Sequence, residues 1–357
     1  EMSRGLGDVY KRQDSYKDNL IEKIQEYIYK DFRREFGDKL NYEDSLSYNL
    51  MVIYKDTGIP FVIIVDEWDC VIRNSKEEEL VHKYLQFLHS LFKSEESKSF
   101  LALAYITGIL PIKKIKDESA LNNFTEFTMI DSYPITRFFG FTEDEVKQLC
   151  EQFQLDMDNT KAWYNGYLIN GLHMYNPNSV SMAIERHRFD SYWKNTSSFA
   201  SINTFITMNY DGLKDDIMTM LSDGMVYVNT DTFQNDFVSI SSKDEALTAL
   251  IHLGYLGYNI DEKNAFVPNF EVKKAYQAAL CTSGWSKVAD SISRCDELLQ
   301  ATINGDSEKV AELIEKAHDA YTSILKYNDE NSLSCVLSMA YFTAPAYYLS
   351  LIHISEP

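Results

Sequence analysis

The first readable part of the chain alternates between helical and strand-like patterns of apolar residues. Apolar side chains recur at helical spacing over Asn19–Phe36, Asp44–Lys55 and Glu77–Phe92. Between these segments lie two continuous apolar runs, Phe61–Val65 (FVIIV) and Phe100–Ile106 (FLALAYI). Runs without polar alternation are typical of strands that are covered on both faces of a parallel sheet. We therefore predict an α/β fold in which these two strands share one parallel sheet.

The remaining chain has a mainly helical pattern that is interrupted by one strand-like stretch. Thr142 and Glu145 form a capping-box pattern at the start of a helix that ends near Phe153. Two short apolar stretches flank the polar turn Asp261–Asn264, which predicts a β-hairpin. Further helices are predicted over Ser201–Met208, Leu213–Leu221, Ser242–Gly254 and, from Val288 onward, on both sides of Gly305.

The composition narrows the classes of function. The 357-residue chain carries 54 acidic and 34 basic residues, a formal net charge of −20. Since binding to phosphate backbones draws on clustered Lys and Arg, we do not expect non-specific nucleic-acid binding by the chain as a whole. The five cysteines lie far apart without a C-x-x-C pair, which argues against a zinc ribbon or a disulfide scaffold and indicates the reducing cytoplasm. No apolar run of about 18 residues occurs, so no membrane partner is expected.

Two acidic residues follow the first apolar run. Asp66 and Glu67 come directly after Phe61–Val65, which is the form of a Walker B motif. A carboxylate at the C-terminal edge of such a strand can hold Mg²⁺ through water, and a following glutamate can orient and polarise the attacking water. Asp66 is therefore our candidate for metal and cofactor binding, and Glu67 is a catalytic candidate. The competing explanation is chance, because strand ends exit into solvent and often carry acids.

A polar residue also ends the second apolar run. Thr107 follows Phe100–Ile106 and precedes Gly108, at a separation from Asp66 that fits one crossover helix and one strand. In P-loop ATPases with an additional strand, this place carries a sensor that reads the γ-phosphate or its attacking water. Thr107 is thus a second catalytic candidate, and we expect Thr107 and Asp66 to face one crevice at the C-terminal edge of the sheet. The alternative is a strand-end hydroxyl that bonds its own loop.

The loop that would hold the phosphates is absent from this sequence. Neither a G-x-x-x-x-G-K-[ST] pattern nor any Gly-Lys dipeptide occurs. The domain is either a degenerate ATPase or one whose loop lay upstream of Gln13, and we favour the second explanation. Glu1–Gln13 and Leu349–Pro357 resemble translated sequencing-adapter read-through, so we expect a chain cut at both ends. We then expect a gap between the two strands, where the lost Walker A strand would insert, or a narrowed sheet in which the two strands pair directly.

Several motifs occur in a fixed order along the chain. They are FVIIVDEWDCVIR (Phe61–Arg73), the segment Ala102–Met129, FFGFTEDEVKQLC (Phe138–Cys150), WYNGY (Trp163–Tyr167) and YNPNSV (Tyr175–Val180). Together they resemble the bacterial AAA-ATPase-like proteins, whose members commonly end in a PD-(D/E)xK nuclease-like domain. The resemblance implies ATP and Mg²⁺ as cofactors, a homo-oligomer among the partners, and nucleic-acid contact only through the nuclease-like domain.

The resemblance also implies roles for single residues. Asp66 and Glu67 correspond to the Walker B acids and Thr107 to the sensor-like residue. Arg137 is a candidate cation for the γ-phosphate, and its competing role is that of a salt-bridged structural arginine. Asp69 has no assured role; it either holds the loop by hydrogen bonds or supports the outer shell of the metal. The lysines at 113, 114 and 116 and the asparagines at 122 and 123 point either toward phosphate or a partner, or simply into solvent.

The predicted architecture is an incomplete P-loop NTPase (AAA/ASCE-like) parallel sheet with a helical lid, followed by a winged-helix-like module and a helical segment. The predicted boundaries are 1–13, adapter artefact; 14–140, AAA-ATPase-like core lacking the Walker A strand; 141–200, helical lid; 201–282, winged-helix-like module; 283–348, helical segment leading into an absent nuclease-like domain; and 349–357, adapter artefact.

Three functions are compatible with the sequence. The first is an ATP-driven switch coupled to a nuclease-like domain, and the second is a non-catalytic interaction scaffold with the same fold. A metal-dependent phosphodiesterase built on Asp66, Glu67 and Asp69 is weaker, because no Lys follows them at the spacing of a nuclease. In the winged-helix-like module, Asp261 and Glu262 outnumber Lys263 at the hairpin, which favours protein packing over DNA binding.

Overall fold

The chain forms two compact units, Glu1–Glu126 and Phe127–Pro357. The computed structural model describes residues 19–75, 77–109, 121, 123–193, 210, 212–233, 240–282, 294–322, 336–337 and 340–341. In the described part of the chain, no helix is both long enough and apolar enough to cross a membrane.

The first unit contains the predicted alternation of helices and strands. Its elements are α1 (Leu20–Phe36), α2 (Leu46–Thr57), β1 (Phe61–Val65), α3 (Cys70–Asn74), α4 (Glu78–Phe92), α5 (Ser97–Phe100) and β2 (Leu101–Ile106). Helix α2 begins at Ser45, whose hydroxyl accepts a hydrogen bond from the Tyr48 N–H, and it ends at Gly58 in the left-handed region with φ 67°. The predicted helices and strands agree with α1, α2, α4, β1 and β2 to within a few residues, whereas the short helices α3 and α5 were not predicted.

Strands β1 and β2 pair directly and in parallel. The register runs without interruption from Val62 opposite Leu103 to Val65 opposite Ile106. The shared sheet is thus confirmed, and the strands pair directly, which is the narrowed sheet that we gave as the alternative to a gap. Neighbouring strands of a sheet lie about 4.8 Å apart in the hydrogen-bonding direction, so a continuous ladder leaves no space for a third strand between them.

One face of this two-stranded sheet carries solvent-exposed apolar side chains, and we call it the bare face. Val62 and Ile64 on β1 are 58% and 69% exposed, and their register partners Leu103 and Tyr105 are 57% and 44% exposed. Exposed and shielded positions alternate along β1 until the buried Val65. The prediction that both faces are covered is therefore wrong for one face. A continuous apolar run does not reveal how many layers cover it, because both faces of the strand are apolar in either case.

The second unit opens with a mixed segment rather than a helical lid. Its elements are β3 (Phe141–Thr142), α6 (Glu143–Phe153), α7 (Met157–Tyr164), β4 (Tyr167–Ile169), β5 (Leu172–Tyr175) and α8 (Pro177–Arg186). The three strands form an antiparallel sheet in the order β3-β5-β4. Asn170 and Gly171 both have positive φ, 48° and 78°, and join β4 to β5 in a two-residue turn. An Asn-Gly pair between apolar strands is a strong hairpin signal, so a purely helical lid is wrong here.

The local signals at the helix ends of this segment are confirmed. Thr142 and Glu145 form the predicted reciprocal capping box at the start of α6. The side chain of Asn176 accepts hydrogen bonds from the N–H groups of Asn178 and Ser179, and so caps α8. Both caps satisfy backbone donors that have no partner within the helix.

Helices and a second small sheet follow. They are α9 (Leu213–Leu221), β6 (Val226–Tyr227), α10 (Lys243–His252), β7 (Gly257–Asn259), β8 (Asn264–Phe266), α11 (Phe270–Thr282), α12 (Cys295–Ile303) and α13 (Ser307–Thr322). The strands are antiparallel in the order β6-β8-β7, which confirms the hairpin. Gly305 has a φ of 71° and separates α12 from α13, as predicted. The helix predicted over Ser201–Met208 and most of the segment after Tyr321 lie outside the described residues.

Candidate functional site

Asp66 and Thr107 lie together at the carboxyl end of the parallel sheet. Each residue directly follows its strand, and the Thr107 N–H donates to the Val65 carbonyl at 2.9 Å. The Thr107 hydroxyl donates a hydrogen bond to Oδ1 of Asp66. Because the carboxyl ends of paired parallel strands meet at the same edge, the sequence prediction that these two residues share one edge agrees with the geometry.

Glu67 occupies a strained backbone position beside this pair. Its φ is 51°, in the left-handed region that non-glycine residues seldom adopt. The Glu67 N–H donates to Oδ1 of Asp66 at 3.1 Å, and its carbonyl accepts from the Cys70 N–H at 2.9 Å. Its side chain is exposed. Strained backbone at a polar strand end is a feature of many functional sites, and here it turns the Glu67 side chain away from the path of a regular strand.

Below this exposed edge, the chain is tightly packed. Trp68 is 3% exposed, and its carbonyl accepts a hydrogen bond at 2.8 Å from the hydroxyl of Tyr84, which is fully buried. Burial raises the pKa of the Tyr84 hydroxyl far above its ordinary value, so this group donates as a neutral phenol. The exposed acids Asp66 and Glu67 therefore directly precede a buried and tightly packed residue, Trp68.

Arg137 lies in the second unit and its side chain is exposed. It belongs to a short 3-10 turn, Thr136–Phe138, and its guanidinium lies 5.7 Å from the centre of the Phe138 ring. Among the residues that the structure describes, no carboxylate lies within ion-pair distance of Arg137. The charge of Arg137 nevertheless contributes to the lowered pKa of the Glu145 carboxyl group, after the hydrogen bonds from Thr142, so Arg137 has a weak electrostatic interaction within its own unit.

One described residue near the end of the first unit belongs to the predicted phosphate-facing group. The Asn123 side chain donates to the carbonyl of Phe92 at 3.1 Å, which fixes the chain after α4. The lysines at 113, 114 and 116 and the asparagine at 122 lie outside the described residues.

The oxygens at this edge suit a hard cation such as Mg²⁺. No cluster of three or more His, Cys, Asp or Glu side chains that could hold a metal occurs within the described ranges. Mg²⁺ is commonly bound by only one or two carboxylates, with water and phosphate oxygens completing the shell. Oδ1 of Asp66 already accepts two hydrogen bonds. A carboxylate held in this way fits a cation that takes most of its ligands from water and phosphate.

The part of the chain that contains this edge is similar in sequence to a known protein family. Residues 6–116 match the AAA-ATPase-like family, which is described as a predicted AAA-ATPase. The resemblance noted from the motifs is confirmed for this range. We call residues 6–116 the AAA-ATPase-like segment. It includes Asp66, Glu67 and Thr107, whereas Arg137 lies beyond it.

A curated relative is similar over part of the chain. It is named "Uncharacterized protein in vnfD 5'region", from Azotobacter chroococcum mcd 1, and is 28% identical over 145 residues. These residues make up 40% of the present chain and 28% of the relative. The chain therefore matches little more than a quarter of the length of this relative. No solved structure matches the chain.

The geometry adds two residues to the site that the sequence did not assign a clear role. They are Asp69, whose carboxyl group is fully buried, and Gly108, which lies directly against it. The available signal was the glycine itself, because a glycine directly after a polar strand end often marks a close backbone approach.

Proposed function

We propose that residues 6–116 belong to an ATPase, and that the carboxyl end of β1 and β2 is the site at which this ATPase binds Mg²⁺ and positions the attacking water. The observation that carries this proposal is the hydrogen bond from the Thr107 hydroxyl to the Asp66 carboxylate, at the shared carboxyl end of two paired parallel strands. The family match over residues 6–116 supports an ATPase-like function in general terms. Nucleotide, Mg²⁺ and the roles of single residues belong to the proposal.

In this proposal each polar residue has a separate task. Asp66 holds Mg²⁺ through water, and the cation, when bound, would neutralise charge on the phosphates of ATP. Thr107 orients the Asp66 carboxylate by the hydrogen bond that it donates. Glu67 would accept a hydrogen bond from the attacking water and take up its proton as the water adds to the γ-phosphate and the bond to the leaving ADP oxygen breaks. Arg137 is proposed to approach the γ-phosphate as a cation, a role that rests on the resemblance alone.

The phosphates need a cradle that these 357 residues do not contain in recognisable form, since no Gly-Lys-Ser/Thr loop occurs. The loop supplies most phosphate contacts in P-loop proteins. We therefore expect this chain to bind Mg-ATP weakly or not at all in isothermal titration. Sub-micromolar binding would show that a cradle of a different kind is present.

The hydrolytic part of the proposal is tested at Glu67. In a protein that carries this segment together with a phosphate-binding loop, Glu67→Gln should keep nucleotide affinity and lower the hydrolysis rate by about a hundredfold or more, the usual scale for a general base. The exposed Glu78→Gln in the same unit is the matched control. Turnover within about twofold of the unmodified protein would remove Glu67 from the mechanism.

Coupling to a nuclease-like domain is a further part of the proposal, and it rests on the family resemblance. The order β6-β8-β7 with its flanking helices supports a winged-helix-like module. Residues 246–251 of α10 are all buried, so this helix has no free face to enter a DNA groove. The module is therefore proposed to pack against protein, and nucleic acid would be reached only by the nuclease-like domain.

The interaction scaffold is the second candidate, and the bare sheet face favours it. Val62, Ile64 and Leu103 form part of an exposed apolar surface of the kind that marks interaction sites. A scaffold has no need of a water-activating acid. Unchanged turnover in the Glu67→Gln variant would therefore favour this candidate over the ATPase.

A further inference from the structure

Asp69 occupies the N-cap position of α3 but does not cap this helix. An aspartate at such a position commonly accepts a hydrogen bond from an N–H group of the first turn of its own helix. Here no side-chain cap hydrogen bond is formed. Instead, Oδ2 of Asp69 accepts a hydrogen bond at 3.0 Å from the N–H of Ile109, 40 positions further along the chain. Oδ2 of Asp69 thus binds the segment that follows β2.

The other oxygen of Asp69 lies against the same segment. A Cβ atom placed on Gly108 would come within 2.7 Å of Oδ1 of Asp69 and within 2.5 Å of Cδ1 of Trp68. Both distances are shorter than real contacts, and the indole is held in a buried position. Only glycine therefore allows the two chain segments to approach so closely.

Backbone hydrogen bonds join the same two segments on either side of this contact. The Thr107 N–H donates to Val65, and the Trp68 N–H donates to the Thr107 carbonyl, each at 2.9 Å. Together with the bond from Ile109 to Asp69, they extend the pairing of β1 and β2 beyond the last strand residue. Thr107 lies inside this extension, so its hydroxyl is held where it meets Asp66.

The burial of Asp69 distinguishes the two roles that the sequence left open. Its side chain is completely buried, whereas Asp66 and Glu67 are exposed at the edge where a metal would enter. A buried carboxyl group costs free energy unless hydrogen bonds compensate for the lost water. The hydrogen bond from the Ile109 N–H is such a compensation. The burial and this bond favour the role in which Asp69 holds the loop over the role in which it supports the outer shell of the metal.

We propose that Asp69 is a positioning residue, which fixes residues 107–109 so that the Thr107 hydroxyl holds the Asp66 carboxylate in one orientation. The link to Asp66 rests on the proposed function, whereas the tether between Asp69 and Ile109 does not. Asp69 itself touches neither metal nor nucleotide. Its effect on the candidate site passes through the backbone of Gly108 and Ile109 to Thr107.

The test compares variants of the full 357-residue chain by amide hydrogen exchange. Asp69→Ala removes the acceptor, and we expect the protection of the Ile109 amide to fall by about tenfold or more, the scale of one lost hydrogen bond to a carboxylate. Asp69→Asn keeps an oxygen that can accept this bond, so it should retain most of the protection. Asp56→Asn, an exposed acid of the same unit that pairs with Lys39, is the matched control.

A second readout follows the consequence at Asp66. Mn²⁺ affinity, measured by paramagnetic broadening of the amides near Asp66, should fall several-fold in Asp69→Ala and stay close to the unmodified value in Asp69→Asn. If Asp69→Ala fails to fold, Gly108→Ala separates the same segments without changing the carboxyl group. It should lower the protection of Ile109 and the Mn²⁺ affinity together.

The outcomes separate this inference from the proposed function. Unchanged protection of Ile109 in Asp69→Ala, or an equal loss across β1, β2 and α4, would overturn the positioning role. Loss of Ile109 protection with unchanged Mn²⁺ affinity would overturn the link to Asp66. If the unmodified chain binds no Mn²⁺ near Asp66, the proposed function and the link to Asp66 fail together, while the exchange comparison still decides the tether.

Discussion

The sheets of the two units differ in how far their apolar side chains are exposed to solvent. In the first unit, Val62, Ile64 and Leu103 are each more than half exposed on one face of the parallel pair. In the second unit, Met174 on β5 and Ala265 on β8 are at most 2% exposed, although Tyr227 on the short strand β6 is 59% exposed. The candidate chemistry thus lies on a sparsely covered sheet, and the largest described core lies in the other unit. Substitutions in the two units should therefore act on different observables.

The largest expected effect is a contrast between two leucines. Leu250 on α10 is fully buried within the core of the second unit, whereas Leu103 on β2 is 57% exposed. Leu250→Ala should lower the free energy of unfolding by about 2 to 5 kcal/mol, because it removes transfer free energy and leaves a cavity. Leu103→Ala should lower it by about 1 kcal/mol or less. Urea unfolding followed by circular dichroism measures both.

The result that would contradict this contrast is a Leu103→Ala variant whose free energy of unfolding falls as much as that of Leu250→Ala. Such a result would mean that the bare face of β1 and β2 is covered in solution. The comparison between the units would then describe two closed cores, and the scaffold candidate would lose the observation that favours it.

A pH-dependent effect is expected in the second unit. Oε1 of Glu271 accepts hydrogen bonds from the N–H groups of Tyr192 and Trp193 at 2.7 and 3.1 Å, and the side chain is almost fully buried. Burial raises the pKa of this carboxyl group above its ordinary value of 4.5, although the hydrogen bonds from both N–H groups act in the opposite direction. When the folded pKa is the higher one, the unfolded chain loses its proton first, so stability falls as the pH rises from about 4.5 toward the raised pKa.

Glu271→Gln removes this titration and keeps an oxygen that can accept both bonds. The stability of the unmodified protein relative to the variant should decline with rising pH, at a slope no steeper than one proton allows, about 1.4 kcal/mol per pH unit. Urea unfolding of both proteins over a pH series measures this difference, with the exposed Glu185→Gln as control. Parallel curves for Glu271→Gln and the unmodified protein would contradict the expected pKa direction.

The smallest effect is expected at the strained residue of the candidate site. Glu67→Gly should raise the free energy of unfolding by about 0.5 to 1 kcal/mol, since glycine adopts a φ of 51° without steric cost. Gln154, which ends α6 with a φ of 55°, gives the matched variant Gln154→Gly. Both variants should gain stability in thermal unfolding, but only Glu67→Gly should also lose hydrolysis when a phosphate loop is present. A loss of stability at Glu67 alone would show that its side chain supports the fold.

Local signals in the sequence were sufficient for much of this fold. The apolar runs of β1 and β2 and the capping box of Thr142 and Glu145 were each predictable, because their causes lie within a few neighbouring residues. The Asn170-Gly171 hairpin carried an equally local signal that a helical interpretation of the segment overlooked.

The remaining features depend on residues that are far apart in the chain. The bond between Asp69 and the Ile109 N–H spans 40 positions, and the bonds that Glu271 accepts from Tyr192 and Trp193 span 79 and 78. No periodicity records such pairs. The bare face of the sheet was equally hidden, because Val62 and Ile64 have the same apolar character whether or not a layer covers them. Two long-range features could be anticipated, namely the shared sheet of β1 and β2 and the meeting of Asp66 with Thr107, since parallel strands align their carboxyl ends.

The central claim is that the exposed edge of the first unit, and not the core-rich second unit, holds the divalent cation. Mn²⁺ titration with amide-resolved paramagnetic broadening tests this claim most directly. The account predicts that broadening at low Mn²⁺ concentration centres on residues 66–69 and 107–109, and that Asp66→Asn abolishes it while Asp38→Asn, at another exposed acid, leaves it unchanged. Broadening that centres elsewhere, or that survives Asp66→Asn, would contradict the account.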